Sequence, residues 1–352
     1  MPNQVFLGPT DFTLSKQSVA DVCPSNIALI KYWGKYAGQI PANPSISYTL
    51  SNCHTKTEIN FDPAASFAVK VNLDGREEVK FGEKIEKYFR SIEVYLPWIL
   101  QGAYEINTVN TFPHSSGIAS SASGFGAIAK CLMQLDASFN GLADEEFIRK
   151  KASFLARIGS GSACRSLYEG LVVWGETTEV EGSSDLFAVQ YPTEQVHDIF
   201  RDFNDWVLLI HEGQKAVSST VGHGLMDSNP YAKRRFLEAR ENFVPLKKIL
   251  KEGDLTEFIR LVEHEALTLH AMMMMSTPAF ILMQSGTLEV INKIWQFRKE
   301  TGLPLFFTLD AGANVHLLFP ENENSNAIKD FIETELKPFA QNGGIVKDRM
   351  VF

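Results

Sequence analysis

Residues 110–130 restrict the possible folds of this chain most strongly, because they join a small-residue loop to a helix. The stretch reads NTFPHSSGIASSASGFGAIAK, and Phe125, Ile128 and Leu132 recur near helical spacing at its end. Small side chains let backbone N–H groups approach a ligand closely, and a helix N-terminus carries about half a positive charge. The stretch therefore predicts a phosphate-binding loop, although small residues would also permit close helix packing. It is not a Walker loop, because no Gly-Lys-Ser/Thr follows the glycine.

The charge balance restricts the partners of the chain. A formal net charge of −9 over 352 residues disfavours nucleic acid and anionic membranes, so we expect neither as a partner. Any anionic substrate must then meet a locally basic pocket. The N-terminus does not resemble a signal peptide, and no apolar run approaches the ~20 residues of a membrane span. The four cysteines form no CxxC pair, which together with these features predicts a cytoplasmic protein.

The segment at residues 22–36, VCPSNIALIKYWGKY, predicts a buried strand that ends in cations. An apolar run at residues 27–30 leads directly into Lys31, and Lys35 follows after two aromatic residues and a glycine. Two cations at a strand end would suit an anionic ligand. A lysine pair on a solvated turn is the alternative that composition alone favours.

A second Gly/Ser turn at residues 158–170, IGSGSACRSLYEG, has the character of an anion site. Ser160 and Ser162 can donate hydrogen bonds, and Arg165 can hold a carboxylate or phosphate with two donors. No acidic residue lies in residues 147–168, which favours the same interpretation.

Three further features favour ordinary structural explanations when each is taken alone. Cys164 lacks a supporting His/Asn arrangement, so an inert packed thiol is expected. His264 and Glu265 begin an HExxH pattern, but residue 268 is threonine, which excludes that zinc motif. Asp310 ends an apolar strand at a glycine turn, where an aspartate commonly bonds its own backbone.

Alternation and helical periodicity predict a mixture of strands and helices. Strands are predicted at residues 27–30, 46–50, 67–73, 77–81, 171–174, 206–211, 303–309 and 314–319, with a type I′ turn at Asp74-Gly75. Helices are predicted from residue 118, at 85–96, 145–157, 255–273 with an N-cap at Asp254, 288–302 and about 326–336. A polar, acidic stretch near residues 175–205 separates two predicted domains, 1–190 and 191–352.

Four blocks of the sequence together resemble one enzyme family. SNIALIKYWGK, NTFPHSSGIASSASG, RIGSGSACRS and TLDAGANV resemble the diphosphomevalonate decarboxylases, within the small-molecule kinase superfamily of galactokinase, homoserine kinase, mevalonate kinase and phosphomevalonate kinase. The blocks span residues 25–319, and the first and third are specific to the decarboxylase branch. The chain departs from the family in its polar His114-Ser115-Ser116 loop and in Ala313, where proline is common.

The resemblance implies a fold and an activity. The fold would be α+β, with an N-terminal phosphate-loop domain like domain 2 of ribosomal protein S5 and a C-terminal ferredoxin-like α/β sandwich. The activity would be ATP-dependent decarboxylation of mevalonate 5-diphosphate to isopentenyl diphosphate, in the mevalonate pathway of isoprenoid biosynthesis. ATP and Mg²⁺ would be the cofactors, and the protein would be a homodimer.

The resemblance also implies residue roles by matched position. Asp310 would orient or deprotonate the 3-hydroxyl, Lys31 would keep Asp310 ionised, and Arg165 would hold the substrate carboxylate. Substrate binding is implied for Tyr32, Trp33, Gly34, Lys35, Ser160, Gly161, Ser162, Ala163, Cys164 and Thr220. ATP binding is implied for Asn110, Ser115, Ser116, Gly117, Ala119, Ser120 and Ser121, with Ser121 the expected magnesium ligand.

Three alternatives stay open at the level of sequence. The chain could act on mevalonate 5-phosphate or mevalonate, or stop after 3-phosphorylation, and the number of cations around Lys35 would decide the preferred substrate. A plain kinase such as mevalonate kinase is disfavoured, because those enzymes have acidic residues where this chain has acid-free GSGSACR. A non-catalytic binding member should have lost a catalytic residue, whereas this chain retains the whole set.

Overall fold

The computed structural model describes residues 3–113, 118–213 and 217–351. In this part of the chain the strands are β1 (Gln17–Ile30), β2 (Lys35–Tyr36), β3 (Ile40–Pro41), β4 (Ser45–Asp62), β5 (Ala68–Leu73), β6 (Arg76–Glu77), β7 (Ala103–Asn110), β8 (Leu171–Trp174), β9 (Ala188–Gln190), β10 (Asp202–Leu208), β11 (Phe306–Thr308), β12 (Val315–Pro320) and β13 (Ile345–Val351). The α-helices are α1 (Val79–Ile92), α2 (Ser120–Asn140), α3 (Glu145–Gly159), α4 (Ser219–Gly224), α5 (Ala232–Glu241), α6 (Phe243–Glu252), α7 (Leu255–Met274), α8 (Ser285–Thr301) and α9 (Ser325–Phe331). None of these helices is long and apolar enough to cross a membrane.

The first sheet is organised around β4, which is 18 residues long. Along one edge, β1 pairs antiparallel with β4 from Gln17↔Phe61 to Ile30↔Ile46. The other edge is shared, because β8 pairs with residues 45–48 of β4 and β7 pairs with residues 55–62. The strand order is β6-β5-β7-β4-β8-β9, and β5 and β7 are parallel. Residues 49–54 of β4 lie between β8 and β7, so their backbone groups need other partners.

Helix α2 covers one face of this sheet against β1 and β4. Phe125, Ile128 and Leu132 are all buried, so the helix predicted after the small-residue loop is confirmed. Helix α3 begins at the predicted Glu145, and the side chain of Asp144 accepts the Phe147 N–H as its N-cap.

The hairpin after β5 is only partly as predicted. Asp74 and Gly75 have positive φ angles of 50° and 76°, as a type I′ turn requires. The predicted strand at residues 77–81 is wrong, because β6 ends at Glu77 and α1 begins at Val79. Phe81 packs against the hydrophobic core at helical spacing from Ile85, so burial of one helix face outweighs the β-like composition.

The second sheet is antiparallel and has the order β11-β12-β10-β13. Its strands and major helices follow the chain order β-α-β-β-α-β, which is the ferredoxin-like pattern. The predicted α+β class and ferredoxin-like C-terminal unit are therefore confirmed. Helix α7 starts after Asp254, whose side chain caps it by accepting the Glu257 N–H, and Gly302 ends α8 in the left-handed conformation, both as predicted.

Several helices and strands begin or end at other residues than predicted, and some strands were not predicted. Strand β10 begins at Asp202, ahead of the predicted residue 206, and β11 is shorter than the predicted 303–309. The last helix ends at Phe331 and continues as a π-helical turn at Ile332–Leu336. Strands β7 and β13 were not predicted at all.

The two sheets share one hydrophobic cluster, which contains Tyr48 and Leu171 from the first and Phe203 and Met350 from the second. The predicted domain boundary at residue 190 coincides with the end of β9, before β10 begins. The cluster joins the N-terminal sheet and the C-terminal sheet into one continuous core. The boundary between two domains at residue 190 therefore stays a prediction.

Candidate active site

A cavity of about 610 Å³ lies where the end of β1, the start of α2, the turn after α3 and helix α4 meet. Its described lining contains four cationic side chains, those of Lys31, Lys35, Lys84 and Arg165. The described lining contains a single carboxylate, that of Asp310. On a chain with a net charge of −9, this concentration of cations favours an anionic ligand.

Lys31 follows directly after β1 and is almost completely buried. Its Nζ lies 3.9 Å from Asp310 Oδ1 and makes no hydrogen bond within the described parts of the chain. Burial lowers the pKa of Lys31 to about 8, against the opposing effects of Asp310 and Glu265. A buried ammonium with unused donors is well suited to hold a developing negative charge.

The backbone of Lys31 is held by Glu265 of α7. Glu265 Oε2 accepts the Lys31 N–H at 2.8 Å, while Arg235 and Asn242 donate to the same carboxylate. Glu265 and Arg235 are both buried, so this pair is part of the core. Glu265 of the incomplete HExxH pattern thus holds the backbone of Lys31, while His264 Nε2 lies 2.7 Å from Glu238 Oε1.

Arg165 lies in the 3₁₀ segment Gly161–Leu167 and is buried beneath the cavity. Its Nε donates to Ser47 Oγ at 2.9 Å, and its Nη1 donates to Ser45 Oγ. Asn26 Oδ1 accepts from Nε and Nη2, so hydroxyl and amide oxygens fix the guanidinium. Burial lowers the pKa of Arg165, with Cys164 and Asp310 opposing it. Neutral partners orient this cation without neutralising it, which favours an anion opposite it.

Asp310 lies in the turn between β11 and β12, and 31% of its side chain is exposed. Its backbone carbonyl accepts hydrogen bonds from His270 Nε2 at 3.0 Å and from the Gly312 N–H at 2.7 Å. Its carboxylate makes no bond to the backbone of the described residues, contrary to the ordinary role of a turn aspartate. The turn therefore fixes the main chain and leaves the carboxylate beside Lys31.

The start of α2 faces the turn after α3. Ser121 Oγ and Ser160 Oγ lie 3.3 Å apart across this contact. Ala119, the N-cap residue, has a left-handed φ of 35° and provides no side-chain cap. The Ala122 N–H donates to the Ala119 carbonyl at 2.7 Å, whereas the N–H groups of Ser120 and Ser121 have no partner among the described residues and could bind an anion.

The turn after Lys31 depends on a glycine. Gly34 has a φ of 104°, and a Cβ there would lie 2.5 Å from Phe236 Cζ, so only glycine fits. The turn brings Lys35 to the cavity, where its Nζ donates to Gln39 Oε1 at 2.7 Å. The pKa of Lys35 is lowered, first by burial and then by Lys84.

Most residues predicted for the site line this cavity. They are Lys31, Tyr32, Trp33, Lys35, Ala119, Ser120, Ser121, Ser160, Gly161, Ser162, Arg165, Thr220 and Asp310. Four do not belong to its described lining: Gly34, Ala163, Cys164 and Asn110, the last of which accepts a hydrogen bond from Thr55 at the end of β7. Predictions for Ser115, Ser116 and Gly117, and for the effect of His114, lie outside the described residues.

The prediction that Cys164 is an inert packed thiol agrees with its surroundings. It is fully buried, its Sγ donates to the Gly161 carbonyl at 3.0 Å, and burial raises its pKa to about 12. At physiological pH it is a neutral thiol that packs beneath Tyr32 and Trp174.

Sequence reasoning missed several lining residues. They are Asn26, Gln39, Lys84, Ser218, Ser219 and His223. Ser218 and Ser219 adjoin Thr220 in a loop of small polar residues, which was a usable signal. Lys84 lies on α1 with its Nζ 4.9 Å from the centroid of the Phe125 ring, and no local pattern distinguishes it from other helical lysines.

Two family models match most of the chain. One, described as a diphosphomevalonate decarboxylase-like N-terminal domain, matches residues 23–187, and the other, a mevalonate 5-diphosphate decarboxylase C-terminal domain, matches residues 206–349. The diphosphomevalonate decarboxylase of Saccharomyces cerevisiae is 31% identical over 329 residues, which cover 86% of this chain and 78% of the relative.

Solved structures match over almost the whole chain. The mevalonate diphosphate decarboxylase of Staphylococcus aureus is 29% identical, with a TM-score of 0.81 and 96% of both chains covered. A structure of MDDEF in complex with MVAPP, AMPPCP and magnesium is 26% identical, with a TM-score of 0.80, and covers 95% of this chain and 97% of that chain.

Proposed function

The chain belongs to the diphosphomevalonate decarboxylase family, and from this membership we propose that it converts mevalonate 5-diphosphate and ATP to isopentenyl diphosphate, ADP, phosphate and CO₂. The observation that carries the proposal is the charge of the cavity. Four cations surround a single carboxylate in its described lining, and the cation of Arg165 has no carboxylate partner there. A substrate with a diphosphate at one end and a carboxylate at the other would supply the missing negative charges.

The first stage is phosphorylation of the 3-hydroxyl. The hydroxyl oxygen forms a bond to the γ-phosphorus of ATP while the bond to the ADP oxygen breaks. Asp310 orients this hydroxyl and accepts its proton, which a tertiary alcohol does not release readily at neutral pH. The Lys31 ammonium lies 3.9 Å from the Asp310 carboxylate and stabilises the charge that develops on the transferred group.

The second stage is loss of phosphate and CO₂. The bond between carbon 3 and the phosphate oxygen breaks with its electron pair, and the bond to the carboxyl carbon supplies the electrons of the new double bond. Arg165 holds the substrate carboxylate in the orientation that this cleavage needs. Its fixed hydrogen bonds to Ser45, Ser47 and Asn26 make that orientation rigid.

The described donor set fits ATP with Mg²⁺. At the start of α2, the N–H groups of Ser120 and Ser121 lack partners within the described chain and could bind phosphate oxygens, and the two serines add hydroxyls. Mg²⁺ usually keeps several waters and binds the phosphates of the nucleotide, so the Ser121 hydroxyl, which lines the cavity, would be its ligand from this helix. When bound, the ion would neutralise charge on the phosphate groups of ATP.

The remaining assigned residues bind the substrate. Five residues that line the cavity would hold the diphosphate end and the substrate backbone: Tyr32, Lys35, Ser160, Ser162 and Thr220. Lys35 and Lys84 both line the cavity and act on each other, and these two cations favour the 5-diphosphate over the 5-monophosphate.

One assay tests the proposal. Purified protein with ATP and Mg²⁺ is given mevalonate, its 5-phosphate or its 5-diphosphate, and both CO₂ and ADP are measured. We expect efficient CO₂ release with the 5-diphosphate alone. ADP without CO₂ would identify a 3-kinase, CO₂ from the 5-phosphate a different decarboxylase, and neither product a binding protein.

We further propose that the protein acts as a cytoplasmic homodimer. All four cysteines are buried free thiols, as expected in a reducing compartment. The homodimer rests on the family resemblance, and sedimentation of the purified chain would test it by giving twice the mass of 39.3 kDa or only that mass.

A further inference from the structure

His223 has a fixed place in the cavity wall that the proposed mechanism does not use. It lies in the short helix α4 and is 8% exposed. Its ring centroid is 4.4 Å from that of Tyr32 and 4.5 Å from that of Trp33, so aromatic rings restrict its orientation. It lines the cavity beside Ser219 and Thr220.

The hydrogen bonding of His223 sets its tautomer. The Gly34 N–H donates to His223 Nδ1 at 2.9 Å, so Nδ1 carries no proton. Burial, followed by the charge of Lys35, lowers the pKa of His223 to about 3, and the ring is neutral at physiological pH. A neutral imidazole with an unprotonated Nδ1 carries its proton on Nε2, for which the described residues provide no acceptor.

We propose that the Nε2–H of His223 donates a hydrogen bond to the diphosphate end of the bound substrate, beside Lys35. The inference rests on the proposed function and adds a specificity-determining residue to it. Three observations carry it: His223 lines the cavity, its Nδ1 is already used by Gly34, and its Nε2–H is left as an oriented donor.

A neutral donor has a physical advantage at this position. The charge of Lys35 acts on the imidazole of His223, and the charge of Lys84 acts in turn on Lys35. A further cation would be repelled by this pair when the substrate is absent. The imidazole adds a donor for a phosphate oxygen without adding charge, and its proton stays in place across the physiological pH range.

Two substitutions test the roles of the two ring nitrogen atoms separately. His223→Asn places an amide oxygen near the position of Nδ1, which preserves the acceptor for Gly34 and removes the Nε2–H. His223→Gln places an amide N–H near the position of Nε2 and removes the acceptor for Gly34. Circular dichroism and thermal melting establish that each variant is folded, and steady-state kinetics give the KM for mevalonate 5-diphosphate and for ATP.

We expect His223→Asn to raise the KM for mevalonate 5-diphosphate about 10- to 100-fold, the usual effect of losing one hydrogen bond to a charged group, with the KM for ATP unchanged. His223→Gln should stay closer to the wild type. A KM for His223→Asn that is equal to or below that of His223→Gln would overturn the proposal, since the ring would then serve only the Gly34 turn.

CO₂ release by the wild-type protein distinguishes a failure of this inference from a failure of the proposed function. Absence of CO₂ release from mevalonate 5-diphosphate by the wild type rejects the function and leaves the donor to be tested by binding. In that case calorimetry with inorganic pyrophosphate compares the wild type with His223→Asn. Equal affinities would reject the donor role, and weaker binding by the variant would support it.

Discussion

At the scale of single residues, the proposed chemistry depends on one carboxylate beside one buried ammonium. Asp310 and Lys31 are 3.9 Å apart, beyond hydrogen-bond distance but within strong electrostatic range. Two opposite charges at such a distance interact by about 4 kcal/mol at an effective dielectric of 20. The Asp310 carboxylate therefore raises the pKa of Lys31 against the larger lowering effect of burial.

Asp310→Asn should leave the protein folded but lower kcat by at least about 10²- to 10⁴-fold, the usual contribution of a general base. Asparagine keeps the size of the side chain and the turn but cannot accept the proton. The turn itself should survive, because His270 and Gly312 bond the Asp310 carbonyl and not its carboxylate. Turnover of a variant shown to be folded by circular dichroism is the measurement, and a nearly normal kcat would refute the assignment.

Lys31 should make the activity fall in alkaline solution. Its pKa is lowered to about 8, so the ammonium is present below that pH and is lost as the pH rises through it. If the charged form is required, kcat/KM should decrease about tenfold per pH unit above about pH 8. In Lys31→Arg the guanidinium stays charged, so the decrease should move to higher pH even if the maximal rate is lower.

The pH profile of kcat/KM from about pH 6.5 to about pH 10 tests this prediction. A flat profile in the wild type would show that the charge of Lys31 is not required. The same alkaline limb in Lys31→Arg would assign the titration to another group.

At the scale of elements, helix α7 of the C-terminal ferredoxin-like unit positions the backbone at the end of β1. Glu265 lies on α7, yet its carboxylate accepts the backbone N–H of Lys31. Arg235 on α5 neutralises Glu265, and both side chains are buried. A buried pair of this kind gives little net stability but is costly to break, because the remaining charge loses its partner.

Glu265→Gln should lower the free energy of unfolding by about 3–5 kcal/mol, because Arg235 is left as an uncompensated buried cation. Chemical denaturation gives this value. Glu257→Gln is the matched control, since Glu257 lies on the same helix and pairs with Arg260 at the surface, where such pairs contribute about 1 kcal/mol or less. Similar losses in the two variants would show that the buried pair has no special role.

At the scale of the whole molecule, the two sheets are joined where β4 lacks sheet partners. Asp348 of β13 accepts the N–H groups of Ser51, Asn52 and Cys53 at 2.9, 2.8 and 2.5 Å. These residues lie between the segments of β4 that pair with β8 and β7. One carboxylate of the second unit therefore replaces the missing ladder bonds of the first.

Asp348→Asn should lower the free energy of unfolding by about 2–4 kcal/mol, since the amide NH₂ group cannot accept a hydrogen bond and would face a backbone donor. Asp202→Asn is the matched control. Asp202 of β10 pairs with Arg349, the neighbour of Asp348 in β13, at a half-exposed site. We expect that control to change stability by about 1 kcal/mol or less. Equal effects of the two substitutions in urea titrations would argue against Asp348 as a structural joint.

The sequence by itself determined the features that depend on neighbouring residues. Helical spacing of Phe125, Ile128 and Leu132 predicted α2, and the cap residues Asp254 and Gly302 predicted where α7 begins and where α8 ends. These predictions held because caps and amphipathic periodicity are local properties of the chain. The motif blocks also identified the family.

Only the tertiary structure decided which distant residues meet. Glu265 contacts Lys31 across 234 positions, and Asp348 contacts Cys53 across 295, and no local pattern encodes such pairs. His223 and Lys84 reach the cavity for the same reason, since a helix position reveals its neighbours only after packing. The tertiary structure likewise set the start of α1 at Val79, because burial against the core outweighed the strand-like composition of residues 77–81.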